Sequence, residues 1–270
     1  SKGMWMSKTL MIGCSHLGGS YSLDNKPLNT KVNYGTIARD ILNDKDWKII
    51  SCPGEGIVAF SSIIETLHQQ NLLQQFDNLI LQQTYEPRLN IQMNQNKVMQ
   101  DIIEYVSGDS SLPHNVKNDW LVSMHPSTQF EKHKSRFAHS ELEFLEYCHY
   151  IGDNFDRTDD IVKHVESIEE PKPSYFKNME IDTAFRYIQM LMANLNINLY
   201  TFRWWNSWRD TDYIRSVPSI MNDSVGNKLR DYYGTDIVNH VSVPGDHPST
   251  AAVEYVGAEL AKALENHGLR

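Results

Sequence analysis

The sequence predicts an α/β fold in which a parallel sheet lies between two layers of helices. Three observations carry that prediction. Short strand-like runs occur at residues 9–13, 47–52 and 79–83, each ending in small or polar residues. The segments between them carry apolar residues at helical spacing. The whole strand–helix–strand–helix–strand series fits in about 80 residues, the pattern of parallel strands joined by covering helices.

The first strand belongs to Lys8-Thr-Leu-Met-Ile-Gly-Cys-Ser-His-Leu-Gly-Gly19 and delivers Ser15 to a tight turn. Residues 20–32 are polar and turn-rich around Asp24-Asn-Lys-Pro27. Tyr34, Ile37, Ala38, Ile41 and Leu42 then recur at helical spacing. Trp47-Lys-Ile-Ile-Ser-Cys52 is the second strand, ending in Pro53-Gly-Glu-Gly56. Ile57, Phe60, Ile63, Ile64 and Leu67 form the apolar stripe of the next helix, and Leu79-Ile-Leu-Gln-Gln83 is the third strand.

Beyond residue 88 the pattern loosens. Residues 95–106 read as a helix, 108–128 as a loop and 140–150 as an amphipathic helix, and 152–175 mix acidic residues with Pro171 and Pro173. Residues 88–178 are therefore expected to form an acidic, mostly helical insertion over one sheet edge, inside a single domain spanning 1–270. Ile181, Ala184, Phe185, Ile188, Leu191, Met192 and Leu195 mark a clear helix, and Ile197-Asn-Leu-Tyr-Thr-Phe202 a strand. A short last strand is expected at 236–241. The final helix starts after Ser249, a good N-cap, and stops near Asn266, with Gly268 just beyond.

Composition narrows the function classes. With 270 residues, 40% hydrophobic and 22% charged, the chain can bury one large core. A net charge of −9 argues against nucleic acid, which needs a basic face. The acidity is uneven: residues 101–180 hold 16 Asp and Glu against 8 Lys and Arg, most simply a solvated face. No run approaches the ~18–20 apolar residues of a membrane span, and Lys8 leaves no room for a signal-peptide core. Cys14, Cys52 and Cys148 make no disulfide framework and point to a reducing, cytoplasmic setting. Cys14 and Cys52 fall at the ends of neighbouring strands, which leaves a redox pair open as an alternative. The histidines at 125, 133, 139 and 149 lack paired metal-ligand spacing, so neither a metal nor a cofactor is expected.

Ligand sites in open α/β sheets lie at the carboxyl ends of strands. Ser15, Gly54, Thr84 to Arg88 and Arg203 all fall at such ends, and His247 arrives just before the last helix. A serine with a distant histidine suggests nucleophilic catalysis, with imidazole taking the hydroxyl proton. Backbone N–H groups freed by a small residue such as Gly54 can make an oxyanion hole. The same glycine-rich turn could instead cradle a phosphate or only close a loop.

Taken together, these residues resemble the SGNH (GDSL-type) hydrolase superfamily. Gly13-Cys14-Ser15-His16 stands where that family carries its nucleophile, Pro53-Gly54-Glu55-Gly56 where it carries an oxyanion glycine, and Gly245-Asp246-His247-Pro248-Ser249 where it carries its histidine. The resemblance covers the first 88 residues and about the last 90. It implies a flavodoxin-like three-layer α/β/α sandwich and a serine esterase or acetylhydrolase. In that role Ser15 attacks the acyl carbon, His247 serves as base and then acid, and the Ser15 and Gly54 N–H groups hold the oxyanion. The implied substrate is a small ester, such as an O-acetyl group on a carbohydrate.

Three departures stand beside it. The residue before the nucleophile is Cys14 where the family has Asp. Gln82-Gln-Thr-Tyr-Glu-Pro-Arg88 replaces the family's Gly-x-Asn-Asp block, leaving Thr84 or Arg88 to substitute for the Asn donor. Pro244 occupies the usual position of the triad acid, leaving Asp246, Asp236 or a backbone carbonyl to orient His247. These departures motivate a rival, an inactive SGNH-fold binding or assembly module, and a third reading transfers the acyl group to an acceptor other than water.

Other residues carry two readings each. His16 lines the pocket or is satisfied by loop backbone. Arg88 grips a substrate carboxylate or phosphate, or pairs with Glu86 or the acidic segment. Trp204, Trp205 and Trp208 form an aromatic platform or are buried. The sequence leaves the oligomeric state open.

Overall fold

The computed structural model of the protein describes residues 7–20, 30–44, 46–53, 56–83, 89–92, 95–116, 121–124, 175–204, 212–233 and 248–269. In chain order the N-terminal elements are β1 (Thr9–Cys14), α1 (Tyr34–Ile41), β2 (Trp47–Cys52), α2 (Ile57–Gln69) and β3 (Asn78–Gln83). β4 (Leu89–Gln92), α3 (Gln95–Ser107), β5 (His114–Asn115) and β6 (Leu121–Met124) follow. The chain continues with α4 (Tyr175–Leu195), β7 (Asn198–Arg203), α5 (Asp212–Ser216), α6 (Val225–Tyr233) and α7 (Thr250–Asn266).

Five strands make one open parallel sheet in the order β5-β2-β1-β3-β7. The register runs from Thr9 beside Trp47 to Cys14 beside Cys52 on one flank of β1. On the other flank Thr9 pairs with Asn78 and Ile12 with Leu81. Both faces of the sheet are covered, which is why its strands carry Leu and Ile at successive positions. Leu10, Ile12, Ile50, Leu79 and Leu81 pack on one face with residues of α2, α3, α4 and α5. Met11, Ile49, Ile80 and Phe202 pack on the other with α1, α6 and α7. The expected α/β sandwich is therefore present.

Local chemistry sets the helix ends. Asn33 and Thr36 close a capping box at the start of α1. Ser249 caps α7 as expected, its hydroxyl accepting from the Ala252 N–H. These two helices cross where Gly257 allows it. A Cβ there would lie 2.6 Å from Ile37 Cγ2 and 3.1 Å from the Tyr34 carbonyl oxygen. Gly257→Ala should therefore force the pair apart and cost about 1–3 kcal/mol by overpacking, read as a lower urea midpoint at unchanged m-value. A stabilised Gly257→Ala protein would refute the close crossing.

The segment at 108–128, expected as a loop, contains two strands. β5 joins the main sheet as an edge, with Ile50 beside His114 and Ser51 beside Asn115. β6 pairs antiparallel with β4. A two-residue strand has no readable periodicity, and β5 is defined by hydrogen bonding to β2, a partner distant in sequence. Just before it, Lys48 anchors the end of α3 by donating to the carbonyls of Tyr105 (3.2 Å), Gly108 (2.6 Å) and Ser110 (2.7 Å). The expected helix at 140–150, the strand at 236–241 and most of the acidic 88–178 segment lie outside the described residues. No described helix is long and apolar enough to cross a membrane.

His114 stacks on Tyr105 with ring centroids 5.1 Å apart. Burial lowers its pKa from 6.5, with Asp101 opposing the shift. A histidine shifted this way binds its proton more readily in the unfolded chain, so it leaves stability untouched well above pH 6.5 and subtracts from it as pH falls through that value. Between pH 7.5 and 5.5, His114→Phe, which keeps the stack, should lose less unfolding free energy in urea than the wild type. Equal losses would remove His114 from the acid response.

Candidate active site

From β1 the chain moves to β2 on one side and then crosses to β3 on the other. The crevice between β1 and β3 is thus a topological switch point, where open α/β sheets place ligands beyond the carboxyl ends of their strands. Ser15 follows the last residue of β1, and Gln82 and Gln83 end β3.

The turn bearing Ser15 is short and internally closed. Cys14 is extended, Ser15–Leu17 form one 3-10 turn, and the Gly18 N–H donates to the Ser15 carbonyl at 2.9 Å. Ser15 is half-buried, whereas the residues on either side of it are buried. The Ser51 hydroxyl holds the Cys14 carbonyl at 3.1 Å from β2. From the same flank, one strand further out on β5, Asn115 Nδ2 donates to the Gly18 carbonyl at 3.1 Å.

Beneath the turn sits a buried polar bracket. Gln82 is fully buried; its Oε1 accepts from the Cys14 N–H (3.2 Å) and from the Tyr34 hydroxyl, and its Nε2 donates to Cys14 Sγ (3.2 Å). Burial first, then the neighbouring Cys14, pushes the Tyr34 phenol well above its ordinary pKa, so it stays protonated and donates. Gly13 makes room for this arrangement, since a Cβ there would lie 2.4 Å from Gln82 Oε1.

His16 completes the bracket. It is 8% exposed, with Nδ1 3.0 Å from Cys14 Sγ and its ring stacked on Trp204 at 4.4 Å. Trp204 is buried as well and also meets Tyr34, at 5.4 Å between centroids. Of the two readings of the tryptophans, burial therefore holds for Trp204. The contacts described for His16 are a thiol and an indole.

On β3, Gln83 is 9% exposed and its Oε1 accepts from Arg203 Nε at 3.1 Å. The Arg203 guanidinium is held in turn by the carbonyls of Ile214 (2.5 Å) and Arg215 (2.8 Å). Among the described residues, five buried side-chain atoms have no hydrogen-bond partner: Ser20 Oγ, Asn33 Nδ2, Gln83 Nε2, Asn115 Oδ1 and Ser219 Oγ. Buried polar groups are rarely left unsatisfied in folded proteins.

The sequence-based site residues divide into two groups. Ser15 and His16 are described and stand together at the end of β1. Gly54, Thr84, Arg88, Asp246 and His247 lie outside the described residues, as do Asp236, Trp205 and Trp208. The roles of Gln82, Gln83, Tyr34 and Arg203 were not anticipated. The sequence shows Gln82-Gln83 as two amides closing β3, but nothing local to them marks their partners. Cys14 and Cys52 are buried, aligned in register and not joined in a disulfide among the described residues. Among the described residues no group of three His, Cys, Asp or Glu side chains could hold a metal ion.

No protein-family model matches this chain, and no characterised protein matches it in sequence. Three solved structures are similar to it in outline. One is an acetyl xylan esterase from the rumen bacterium Butyrivibrio proteoclasticus, at 13% identity and a TM-score of 0.44, covering 98% of this chain. This chain spans 65% of the length of that esterase. A lipase from a goat rumen metagenome aligns over 95% of this chain and 97% of its own, at 11% identity and a TM-score of 0.36. A lipase/acylhydrolase from Enterococcus faecalis aligns over 97% of each chain, at 14% identity and a TM-score of 0.33.

Proposed function

We infer that this chain is a serine hydrolase of the SGNH type that cleaves a small carboxylic ester. The observation that carries the reading is the half-buried Ser15 on a closed turn at the switch point of the sheet. Nucleophilic serines need fixed placement and an accessible oxygen. The bracket of Gln82, Tyr34, Cys14 and His16 supports the first need, and the exposure of Ser15 beside buried neighbours supports the second. In the proposed cycle His247, oriented by Asp246, takes the Ser15 proton as the acyl-enzyme forms and returns it to the leaving alcohol. The N–H groups of Ser15 and Gly54 stabilise the oxyanion, and Thr84, Arg88 and His16 line the substrate side. An O-acetyl group on a carbohydrate is the proposed substrate class.

A fluorophosphonate probe tests this directly. The expected result is one adduct, mapped by mass spectrometry to the peptide containing Ser15 and weakened strongly by His247→Ala. A folded protein that takes no label at Ser15 would turn the reading to its rival, an inactive binding module. Release of acetate from an acetylated sugar, with no transfer to a supplied sugar acceptor, would separate hydrolysis from acyl transfer.

A further inference from the structure

We propose that Ser51 is a positioning residue of this site, aiming the Ser15 N–H toward the crevice between β1 and β3 by its hold on the Cys14 carbonyl. The assignment rests on the serine-hydrolase reading above, in which that N–H receives the oxyanion.

The Cys14 carbonyl and the Ser15 N–H are the two ends of one peptide group. A trans peptide is planar, so its C=O and N–H point in opposite directions. Ser51 Oγ donates to the Cys14 carbonyl at 3.1 Å from β2. The Ser15 N–H is thereby turned away from β2, and β3 lies on that other flank of β1. That flank is where the switch point opens the crevice.

The peptide group is kept from swinging because Cys14 is held from both sides. Its own N–H donates to Gln82 Oε1, which reaches from β3, at 3.2 Å. With its N–H held from β3 and its C=O from β2, Cys14 has both adjoining peptide planes fixed. The turn is also tethered just beyond its last residue, where Asn115 Nδ2 donates to the Gly18 carbonyl at 3.1 Å. Hydrogen bonds in a chain polarise one another, so an amide whose oxygen accepts from Ser51 donates more strongly from its nitrogen.

Ser51 is fully buried in a strand whose neighbouring residues, Ile50 and Cys52, belong to the apolar core. Gly18 leaves room for its hydroxyl. A Cβ on Gly18 would lie 3.0 Å from Ser51 Oγ and 3.0 Å from the Ser15 carbonyl oxygen. The backbone of Gly18, at φ −73, is one that any residue adopts. Glycine therefore supplies space beside the Ser51 hydroxyl, and its backbone freedom is not used. Ser51 exchanges no proton with the substrate and acts only through the peptide group it holds.

Ser51→Ala is the decisive variant. The expected result is a roughly 10- to 100-fold fall in kcat on a p-nitrophenyl ester, the scale of a small misplacement at the reacting centre. KM should stay within about threefold, since the loss falls on an interaction made in the transition state. Fluorophosphonate labelling of Ser15 should slow by a similar factor. Ser51→Thr keeps the hydroxyl and should restore both rates. Thr66→Val is the control: it removes a hydroxyl that donates to the Ser62 carbonyl at 2.9 Å on α2, and its kcat should match wild type. If Ser51→Ala fails to fold, Ser51→Cys, whose thiol is a weak donor, is read by the same criteria. A folded variant with wild-type kcat, a loss carried by KM, or equal losses in the alanine and threonine variants would overturn the role of Ser51. Each of these leaves the hydrolase reading intact. A wild-type protein that Ser15-directed probes do not label would overturn both.

Discussion

Ser15→Ala should lose kcat/KM on a short p-nitrophenyl ester by on the order of 10⁴- to 10⁶-fold, the range seen when a serine hydrolase loses its nucleophile. The fold should barely change. The turn is closed through the Ser15 carbonyl, which accepts from the Gly18 N–H, and alanine supplies the same carbonyl. The bracket below it is built from Cys14, Gln82, Tyr34 and His16, none of which uses the serine side chain. Urea unfolding should therefore place the variant within about 0.5 kcal/mol of wild type. A folded variant that hydrolyses as fast as wild type would end the proposal that Ser15 is the nucleophile.

Trp204→Ala should produce the largest loss of stability, about 3–5 kcal/mol for removing a buried tryptophan. Against a typical total of about 5–15 kcal/mol, that is a substantial fraction of what holds the domain together. Trp204 is 1% exposed, stacks on His16 and packs against Tyr34. Its backbone ties β7 to its surroundings, the N–H donating to the Gln83 carbonyl and the carbonyl accepting from the Gly226 N–H, each at 2.8 Å. Those backbone bonds survive the substitution, so the deficit reports the side chain. Trp204→Phe should recover part of it by keeping an aromatic face against His16. Urea titrations of the three proteins measure the series. A loss under about 1 kcal/mol for the alanine variant would mean that the indole is not the support of the His16 ring.

The elements with strong local signals were readable in the chain itself. β2 and the start of α7 appear at their expected residues, because a short apolar run and a serine cap are encoded within a few neighbours. β5 was not readable, because two residues hold no pattern and the strand exists only through its pairing with β2. The site divides the same way. Ser15 could be picked out by its glycine-rich surroundings after an apolar run. The importance of Gln82 and Gln83 could not, since one engages Cys14 and the other Arg203, contacts 68 and 120 positions apart in sequence.

The sequence by itself determined the class of fold and the strand end that carries Ser15, because periodicity, caps and turns act over a few residues. Only the tertiary structure decided what stands beneath and beside that serine. The buried contact of Cys14 with Gln82, the stack of His16 on Trp204 and the hold of Arg203 on Gln83 all depend on strands brought together from distant parts of the chain. Burial makes each of those contacts matter, and burial belongs to the packed molecule.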